Sequence, residues 1–355
     1  MRVEPVDSAP SAPRARHWAI ALQVLASLLI LAMLLREAQP HAVLEALASV
    51  SWTWLGLALL AKVLALTLHE LRLWWLLRGS CACSLRGVVG IGFLGGLVNM
   101  VLPIRAGDLV AMLLLSREQR IPGPVAVSAV GLVALLEAAA LGLFLLVIFG
   151  TGLVFWEQAL GAEGVQTALS TVSIVTLVGV VAVVSLGVVG RMLGGRGARQ
   201  EWSPGLVYRL RDAVALGLQH TGGTLGRVGA LLTNLALALV DVGLFLTSYA
   251  ILVFALDLPV PGPWTAAGAV MALSAVASLV LPPSLGAGTA AASVFALGLF
   301  GVDEPTALAY AALVWLVGSL PSLLLGLPPL LSRMGSLAEI ILGVRSAPEP
   351  SRPRG

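Results

Sequence analysis

The sequence predicts an all-α polytopic membrane protein with six full transmembrane helices and two re-entrant helical hairpins, arranged as two inverted repeats. Of its 355 residues, 58% are hydrophobic and only 11% are charged, and the mean hydropathy is +0.98. A soluble domain carries roughly 25% charged residues, so most of this surface must meet lipid. Two of the apolar stretches are broken by proline and glycine, which predicts the hairpins.

The N-terminal part holds two predicted spans. Residues 1–16 are polar and Pro-rich, which predicts a disordered cytoplasmic segment. Residues 18–35 are apolar and lack a convincing small-residue cleavage site, so we expect a retained helix rather than a signal peptide. The second span is predicted over residues 52–75. An interfacial belt with basic anchors is expected at its end, from Arg72, Trp74, Trp75 and Arg78.

A first hairpin is predicted over residues 87–115, around the sequence Asn-Met-Val-Leu-Pro-Ile-Arg-Ala-Gly-Asp at residues 99–108. Each apolar flank is only about 10–14 residues long, too short to cross a core of roughly 30 Å as a helix. A proline ends one helix and can open the next, because it lacks an N–H group. Non-helical backbone at membrane depth must be buried in protein or line a wet cavity. We therefore expect this stretch to line a cavity, with Arg105 as its cation.

The rest of the chain continues this pattern. Further full spans are predicted over residues 124–149, 168–189, 228–254 and 306–331. An Arg-rich loop follows the fourth span, and its stretch 206–218 has the spacing of an interfacial helix. A second interrupted region covers residues 264–300 and is broken at Leu281-Pro-Pro-Ser-Leu-Gly-Ala-Gly288. Residues 334–355 form a basic, Pro-rich tail.

The arginines orient this layout. If each broken region returns to its own side and the N-terminus is inside, the outside segments contain Arg36 as their one arginine. Positive residues concentrate on the cytoplasmic side of membrane proteins, so both termini are predicted to be cytoplasmic. Lys62 is the only lysine, and the sequence pI of 9.3 rests on arginines that punctuate apolar spans. That pattern indicates topology and anionic headgroups rather than nucleic-acid binding.

The transmembrane region, residues 17–333, divides into halves of about 17–155 and 165–333. Each half makes three crossings, so the second half must be inverted. The breaks at Leu102-Pro103 and Leu281-Pro282 correspond. Inverted repeats with paired broken helices are typical of secondary transporters, whose substrates bind near the midplane. Short helix N-termini that point inward suit an anionic group such as a phosphate.

The breaks supply the first group of candidate residues. We expect headgroup binding by Asn99, Arg105, Asp108, Ser284, Gly286 and Gly288. A guanidinium pairs bidentately with phosphate oxygens, which favours Arg105 as a phosphate ligand. Arg105 could instead snorkel to the interface or pair with Asp108. The glycines most simply allow close backbone packing.

The second group lies inside full spans: Lys62, Glu137, Asn234 and Asp241. An ionised group there costs about 2.5–3.5 kcal/mol on insertion scales, so these are candidates for counter-ions or protonation sites. Asn234 lies seven residues before Asp241 on one helix face, which favours a polar cavity wall. The alternatives are neutral acids that hold helices together and a Lys62 that snorkels. His69 and Glu70 are expected at the interface.

The sequence gives little support for catalysis or for a metal site. It contains no Gly-x-Ser-x-Gly elbow, no His-Glu-x-x-His and no P-loop. Cys81 and Cys83 are its only cysteines, and its four histidines are scattered, so a disulfide framework or zinc site is not expected. We therefore expect no catalytic residue, no metal and no cofactor.

Four motifs carry a resemblance to a known family: Arg72-Leu-Trp-Trp-Leu-Leu, Asn99-x-x-Leu-Pro-Ile-Arg-Ala-Gly-Asp108, Leu281-Pro-x-Ser-x-Gly-x-Gly288, and Ala307-Leu-Ala-Tyr-Ala-Ala with Leu320-Pro-Ser-Leu-Leu-Leu-Gly326. In these the chain resembles the transmembrane region of lysylphosphatidylglycerol synthases and the stand-alone flippase-like proteins of that family. It departs from the family pattern at Asp108, Ala111, Val133, Ala134, Leu285 and Ala291.

The resemblance implies a multi-pass protein of the bacterial inner (plasma) membrane that handles a polar-headed lipid. We expect a flippase that translocates or binds an anionic lipid, either a phospholipid or a polyprenyl-phosphate lipid, in a midplane cavity. Two alternatives stay open. One is a non-catalytic scaffold subunit that positions a partner enzyme of lipid or glycan biosynthesis. The other is an intramembrane lipid-modifying enzyme.

Overall fold

Helices of two lengths build the part of the chain that the structure, a computed structural model, describes. The described ranges are residues 40–79, 81–101, 106–151, 228–260, 262–277 and 286–334, with scattered positions between 25 and 36 and between 156 and 217. The helices in these ranges are α1 (Pro40–Ala48), α2 (Trp52–Arg78), α3 (Leu85–Val101), α4 (Ala106–Glu118), α5 (Gly123–Thr151), α6 (Val228–Ala255), α7 (Pro263–Ala277), α8 (Ala287–Gly298) and α9 (Glu304–Ser332). These ranges contain no strand.

Four of these helices, α2, α5, α6 and α9, are long and apolar enough to span a membrane. They coincide with the spans predicted over residues 52–75, 124–149, 228–254 and 306–331. The spans predicted over 18–35 and 168–189 fall mostly outside the described residues, as do the N-terminal segment, the 206–218 stretch and the tail. Within the described ranges, the structure therefore contains four candidate spans of the six that the sequence predicts.

Helix α1 was not predicted from the sequence, which placed residues 40–48 in an outside loop. It begins at Pro40, a residue favoured in the first turn of a helix. Its Val43 is buried in an apolar cluster with Leu308 and Ala309 of α9. At nine residues the helix is too short to be recognised by hydropathy, and its packing on α9 holds it in place.

Helices α3 and α4 form an antiparallel pair that is tied at both ends. At the tip, the Asn99 side chain donates to Asp108 Oδ1 at 2.7 Å and accepts from the Gly107 N–H at 2.7 Å. At the open end, the Gln119 side chain accepts from the backbone N–H of Ser84 at 3.1 Å. The four residues between the helices, 102–105, lie outside the described residues, and Arg105 is among them. The register of the pair therefore rests on Asn99, Asp108 and Gln119.

Helices α7 and α8 pack against each other as a second short pair. The connecting residues 278–285, including Ser284, lie outside the described residues. Helix α8 begins after Gly286, whose φ of 66° lies in the left-handed region that favours glycine. A Cβ at this position would also come 2.9 Å from the Trp315 ring of α9. Gly286 is therefore required by both the backbone turn and the packing.

The long helices join the two short pairs. Helix α2 packs along α6, and α9 packs on both α3 and α8. Gly326 of α9 allows a close approach to α3, because a Cβ there would lie 2.7 Å from the Phe93 carbonyl oxygen. Gly268 of α7 is similarly close to Ile148 of α5. Contacts between helices thus occur in corresponding pairs: α3 with α9 and α7 with α5, α2 with α3 and α6 with α7, α4 with α5 and α8 with α9.

We predict that Gly107→Ala destabilises the α3–α4 pair. A Cβ on Gly107 would overlap the Gly95 carbonyl oxygen and lie 2.7 Å from the Asn99 backbone nitrogen. Backbone atoms cannot move aside cheaply, so we expect a cost of about 1–3 kcal/mol. Thermal unfolding of the purified protein in detergent measures it.

The matched control is Gly131→Ala on α5, because a Cβ there meets nothing within 4 Å. This control should unfold at or slightly above the wild-type temperature, since alanine favours a helix over glycine. Equal melting of the two variants would refute the close packing at Gly107.

Candidate functional site

A network of buried ion pairs joins α2, α5 and α6. The Arg72 side chain of α2 is 0% exposed, and its Nη1 donates to Asp241 Oδ2 of α6 at 2.7 Å and to Glu137 Oε1 of α5 at 3.3 Å. Arg72 therefore neutralises two acids on two other helices. The sequence prediction of an interfacial anchor at Arg72 is wrong, because no part of its side chain reaches the surface.

His69 is a second partner of the same two acids. It lies one helical turn before Arg72, and its Nδ1 is 2.5 Å from Glu137 Oε1 and 3.7 Å from Asp241 Oδ2. The pair Glu137 and Asp241, predicted as intramembrane charges, is thus brought together across α5 and α6. The expectation that His69 is merely interfacial is corrected by these contacts.

Two further charged residues of α2 are buried beside the network. Lys62 Nζ lies 3.3 Å from the centroid of the Phe245 ring, a cation–π contact rather than a direct pair with either acid. The Glu70 carboxylate occupies the space beside Gly92 of α3, where a Cβ would overlap it. Glu70 is 6% exposed, so it is not an interfacial residue as the sequence suggested. Its Oε2 has no hydrogen-bond partner among the described residues.

These six side chains are balanced in charge. If all are ionised, Lys62, His69 and Arg72 offset Glu70, Glu137 and Asp241. A balanced set is the form in which buried charges cost least, since an unpaired charge in a low dielectric is expensive.

The network is not arranged as a metal centre. One ligand atom each from His69, Glu137 and Asp241 lies within 4.8 Å of the others, a separation that could suit an ion. However, the Arg72 guanidinium already binds both carboxylates at hydrogen-bonding distance. A cation would have to displace a buried arginine, so we treat these contacts as an ion-pair network.

A cavity of about 240 Å³ lies between the two short helix pairs. Its walls come from α3, α6, α8 and α9, and the lining residues are Gly96, Asn99, Met100, Tyr249, Thr289, Val314, Trp315, Gly318, Ser319 and Ser322. The lining combines aromatic and apolar side chains with hydroxyl groups and one amide. Such a mixture, with a few polar groups in an apolar wall, is typical of ligand cavities.

A second hollow of about 30 Å³ lies beside the ion-pair network and is lined by His69, Leu73, Asp108, Val130, Val133 and Ala134. This volume is enough for a water molecule. Asp108 lines the hollow and also accepts the hydrogen bond from Asn99, which lines the large cavity. A run of polar groups therefore leads from His69 to the large cavity.

The predicted headgroup residues fall into three situations. Asn99 lines the large cavity and Asp108 lines the hollow, while Gly286 and Gly288 belong to the start of α8, where Gly288 is buried in packing. Arg105 and Ser284 lie outside the described residues.

The polar cavity wall predicted at Asn234 is not part of either cavity described above. Asn234 is 0% exposed, and its Nδ2 donates to the Ala230 carbonyl oxygen at 2.9 Å.

Arg72 and His69 are the residues that sequence reasoning missed, although a signal was present. Lys62, His69 and Arg72 are spaced by seven and three residues, which places them on one stripe of a helix. Three basic residues on one stripe of a span require buried acids on neighbouring helices. Glu137 and Asp241 were already recognised as buried acids, so the pairing could have been inferred.

The model of the lysylphosphatidylglycerol synthase TM region family matches residues 20–326 of the chain. No curated protein and no solved structure matches it.

We predict that Arg72→Met strongly destabilises the protein. The variant leaves Glu137 and Asp241 buried without their shared cation, and breaking a buried pair from one side costs about 3–5 kcal/mol. Thermal unfolding in detergent, compared with the wild type, measures this loss.

Arg78→Met is the matched control on the same helix. Arg78 is exposed and stacks on Trp74, with its guanidinium 4.8 Å from the ring centroid. A contact of this kind contributes only about 0.5–1 kcal/mol at an exposed site. Equal destabilisation by the two substitutions would contradict the central role of Arg72.

Proposed function

The chain belongs to the lysylphosphatidylglycerol synthase TM region family, and on this premise we propose that it is a lipid flippase. In this proposal an anionic, polar-headed lipid binds in the 240 Å³ cavity and its headgroup moves across the membrane. The lipid is a phospholipid or a polyprenyl-phosphate lipid. The family itself supports a membrane function related to lipids.

The cavity is the observation that carries the proposal. Asn99 of the first short pair and Thr289 of the second both line it. Since α9 packs on both pairs, a movement of α9 or of either pair would change the shape of the cavity. Ser319 of α9 adds a hydroxyl group that can donate a hydrogen bond to a headgroup, whereas the Ser322 hydroxyl donates to the Gly318 carbonyl oxygen at 3.0 Å.

The lengths of the short helices support their assignment as re-entrant hairpins. Helix α4 has 13 residues and α8 has 12. At 1.5 Å per residue they are about 20 Å and 18 Å long, whereas the hydrocarbon core is about 30 Å thick. We infer that each pair enters the membrane and returns to the side from which it came.

The order of helix lengths supports an inverted repeat. A long helix, two short helices and a long helix occur in α2–α5 and again in α6–α9. The interhelical contacts correspond when the two sets are exchanged, as a two-fold axis between them requires. Inverted repeats of this kind place the substrate site where the broken helices meet.

The anionic lipid class rests on the polar ends of the short helices. Thr289 belongs to the first turn of α8, after Gly286, and lines the cavity, so the N-terminus of α8 lies beside it. The first N–H groups of a helix lack intrahelical partners and carry partial positive charge, which favours a phosphate. Arg105 immediately precedes α4 in the sequence, and we propose it as the phosphate ligand, with Ser284 as a second contact.

The proposed setting is the bacterial inner membrane, with both termini in the cytoplasm. Cys81 and Cys83, both free, lie between α2 and α3 and would then face the cytoplasm.

We predict that a membrane-impermeant maleimide labels Cys81 and Cys83 in lysed cells but not in intact spheroplasts. Burial raises the pKa of the Cys81 thiol, and burial with the Cys81 charge raises that of Cys83. Because the thiolate is the reactive form, labelling is performed under mildly alkaline conditions.

Glu163→Cys in a Cys81→Ser, Cys83→Ser background provides the opposite control. Glu163 is exposed and lies in a segment predicted to be outside. This variant should be labelled in intact spheroplasts. Labelling of Cys81 and Cys83 without lysis would reverse the proposed orientation.

We predict that Gly318→Leu weakens lipid binding without unfolding the protein. Gly318 lines the cavity, and a Cβ there meets nothing within 4 Å, so the larger side chain enters the cavity. Binding of phosphatidylglycerol to the purified protein should weaken by roughly tenfold or more, equivalent to at least about 1.4 kcal/mol.

Arg105→Ala should weaken phosphatidylglycerol binding in the same assay.

Gly56→Leu is the matched control, since Gly56 is exposed on α2 and a Cβ there also meets nothing within 4 Å. It should bind as the wild type does. If Gly318→Leu binds phosphatidylglycerol as the wild type does, the cavity is not the lipid site. If Arg105→Ala binds equally well, the phosphate assignment to Arg105 is lost.

A further inference from the structure

His69 is the member of the ion-pair network that faces the small hollow. Its side chain is 31% exposed, compared with 23% for Glu137, 9% for Asp241 and 0% for Arg72. It also lines the hollow, which Arg72, Glu137 and Asp241 do not. His69 is therefore the group of the network that can exchange a proton with water.

The hollow connects this histidine to the proposed lipid cavity. Asp108 lies on the other side of the hollow and accepts a 2.7 Å hydrogen bond from Asn99. Asn99 in turn lines the large cavity and holds the tip of the α3–α4 pair through the Gly107 N–H. His69 is thus separated from the hairpin tip by a hollow the size of one water molecule and by one hydrogen-bonded pair, Asp108 and Asn99.

We propose that His69 binds a proton together with the lipid, so that the anionic headgroup and the proton occupy the protein as a pair. This inference rests on the proposed lipid function and names the ion that accompanies the lipid. The reaction is a simple proton transfer: an O–H bond of a hydronium ion breaks as an N–H bond forms on the imidazole, one water molecule is left, and the reverse occurs on release.

The charge balance gives the direction of the linkage. With His69 protonated, the three basic and three acidic side chains of the network cancel, and Asp108, which also lines the hollow, stands outside this sum and is unchanged by the step. Loss of the proton leaves Glu137 and Asp241 facing Arg72 as their one directly bonded cation, so the network carries one net negative charge. Negative charge beside the cavity opposes an anionic lipid in a low dielectric. Lipid binding should therefore be stronger when His69 is protonated.

The charged groups around His69 come from four helices. Helix α2 contributes Lys62, Glu70 and Arg72, and the other groups are Glu137 of α5, Asp241 of α6 and Asp108 of α4. Helices α3 and α9 also pack on α2, and in the described ranges they add no charged side chain to the network. An imidazole is the group of this set that ordinarily changes charge near neutral pH.

We predict that phosphatidylglycerol binding by the full-length purified protein depends on pH through His69. The dissociation constant is measured from about pH 5.5 to about pH 8.5, the window in which an imidazole titrates. Wild-type affinity should fall as pH rises, by up to about tenfold per pH unit where one proton is linked. His69→Gln keeps a hydrogen-bond donor for Glu137 but cannot take up a proton, so its affinity should not vary with pH.

His41→Gln is the matched control, because His41 is exposed and pairs only with Glu45 of its own helix among the described residues. It should keep the wild-type pH dependence. Wild-type calorimetry in two buffers of different ionisation enthalpy counts the protons taken up on binding and needs no variant.

The outcomes separate this inference from the proposed function. Wild-type binding without proton uptake would overturn the inference and leave the lipid site intact, as would an unchanged pH dependence in a folded His69→Gln. If the wild type binds no phosphatidylglycerol at any pH, the proposed lipid site is refuted, and so is the proposal that a proton binds together with the lipid. The inference is supported if the wild type and His41→Gln take up a proton on binding phosphatidylglycerol and His69→Gln does not.

Discussion

The Arg72 guanidinium and its two carboxylates are the contact on which the rest of the structure depends. Three spans meet at this point, and the neighbouring His69 of α2 contacts the same two carboxylates of α5 and α6. In lipid, the hydrophobic effect does not favour contacts between helices over contacts between a helix and acyl chains. Polar contacts between helices therefore contribute strongly to which helices pack together. Arg72 thereby fixes α2, α5 and α6, and these together with α9 hold the two short pairs around the cavity.

The short helices have a different requirement. Their ends stop inside the proposed membrane, where each unpaired backbone group is costly. Asn99 meets part of this requirement at the α3–α4 tip by bonding both Asp108 and the Gly107 N–H. The same amide lines the cavity. A side chain that joins the ends of α3 and α4 and also faces the proposed lipid cavity couples the contents of that cavity to the backbone of this pair.

Hydropathy predicted most of the described helices, because long apolar runs have few other solutions in lipid. The breaks at Pro103 and Pro282 predicted the ends of α3 and α7, because proline lacks the N–H group that continues a helix. The connecting residues lie outside the described ranges. The α1 helix was missed because a segment of nine residues that includes His41 and Glu45 is too short and too polar to be predicted as a membrane helix. Its helical form depends on contacts with α9 that are far away in the sequence.

The sequence by itself determined that the chain is a helical membrane protein, that two of its apolar stretches are interrupted, and that Glu137 and Asp241 are costly enough to need partners. Only the tertiary structure decided which partners they have, because Arg72 and His69 are more than 60 residues from Glu137 and about 170 from Asp241. The periodicity of one helix gives the face on which a charge lies, but not which helix packs against that face. Which helix packs there depends on how all the spans pack together. This packing places His69 and Arg72, which the sequence predicted at the interface, at the centre of the site.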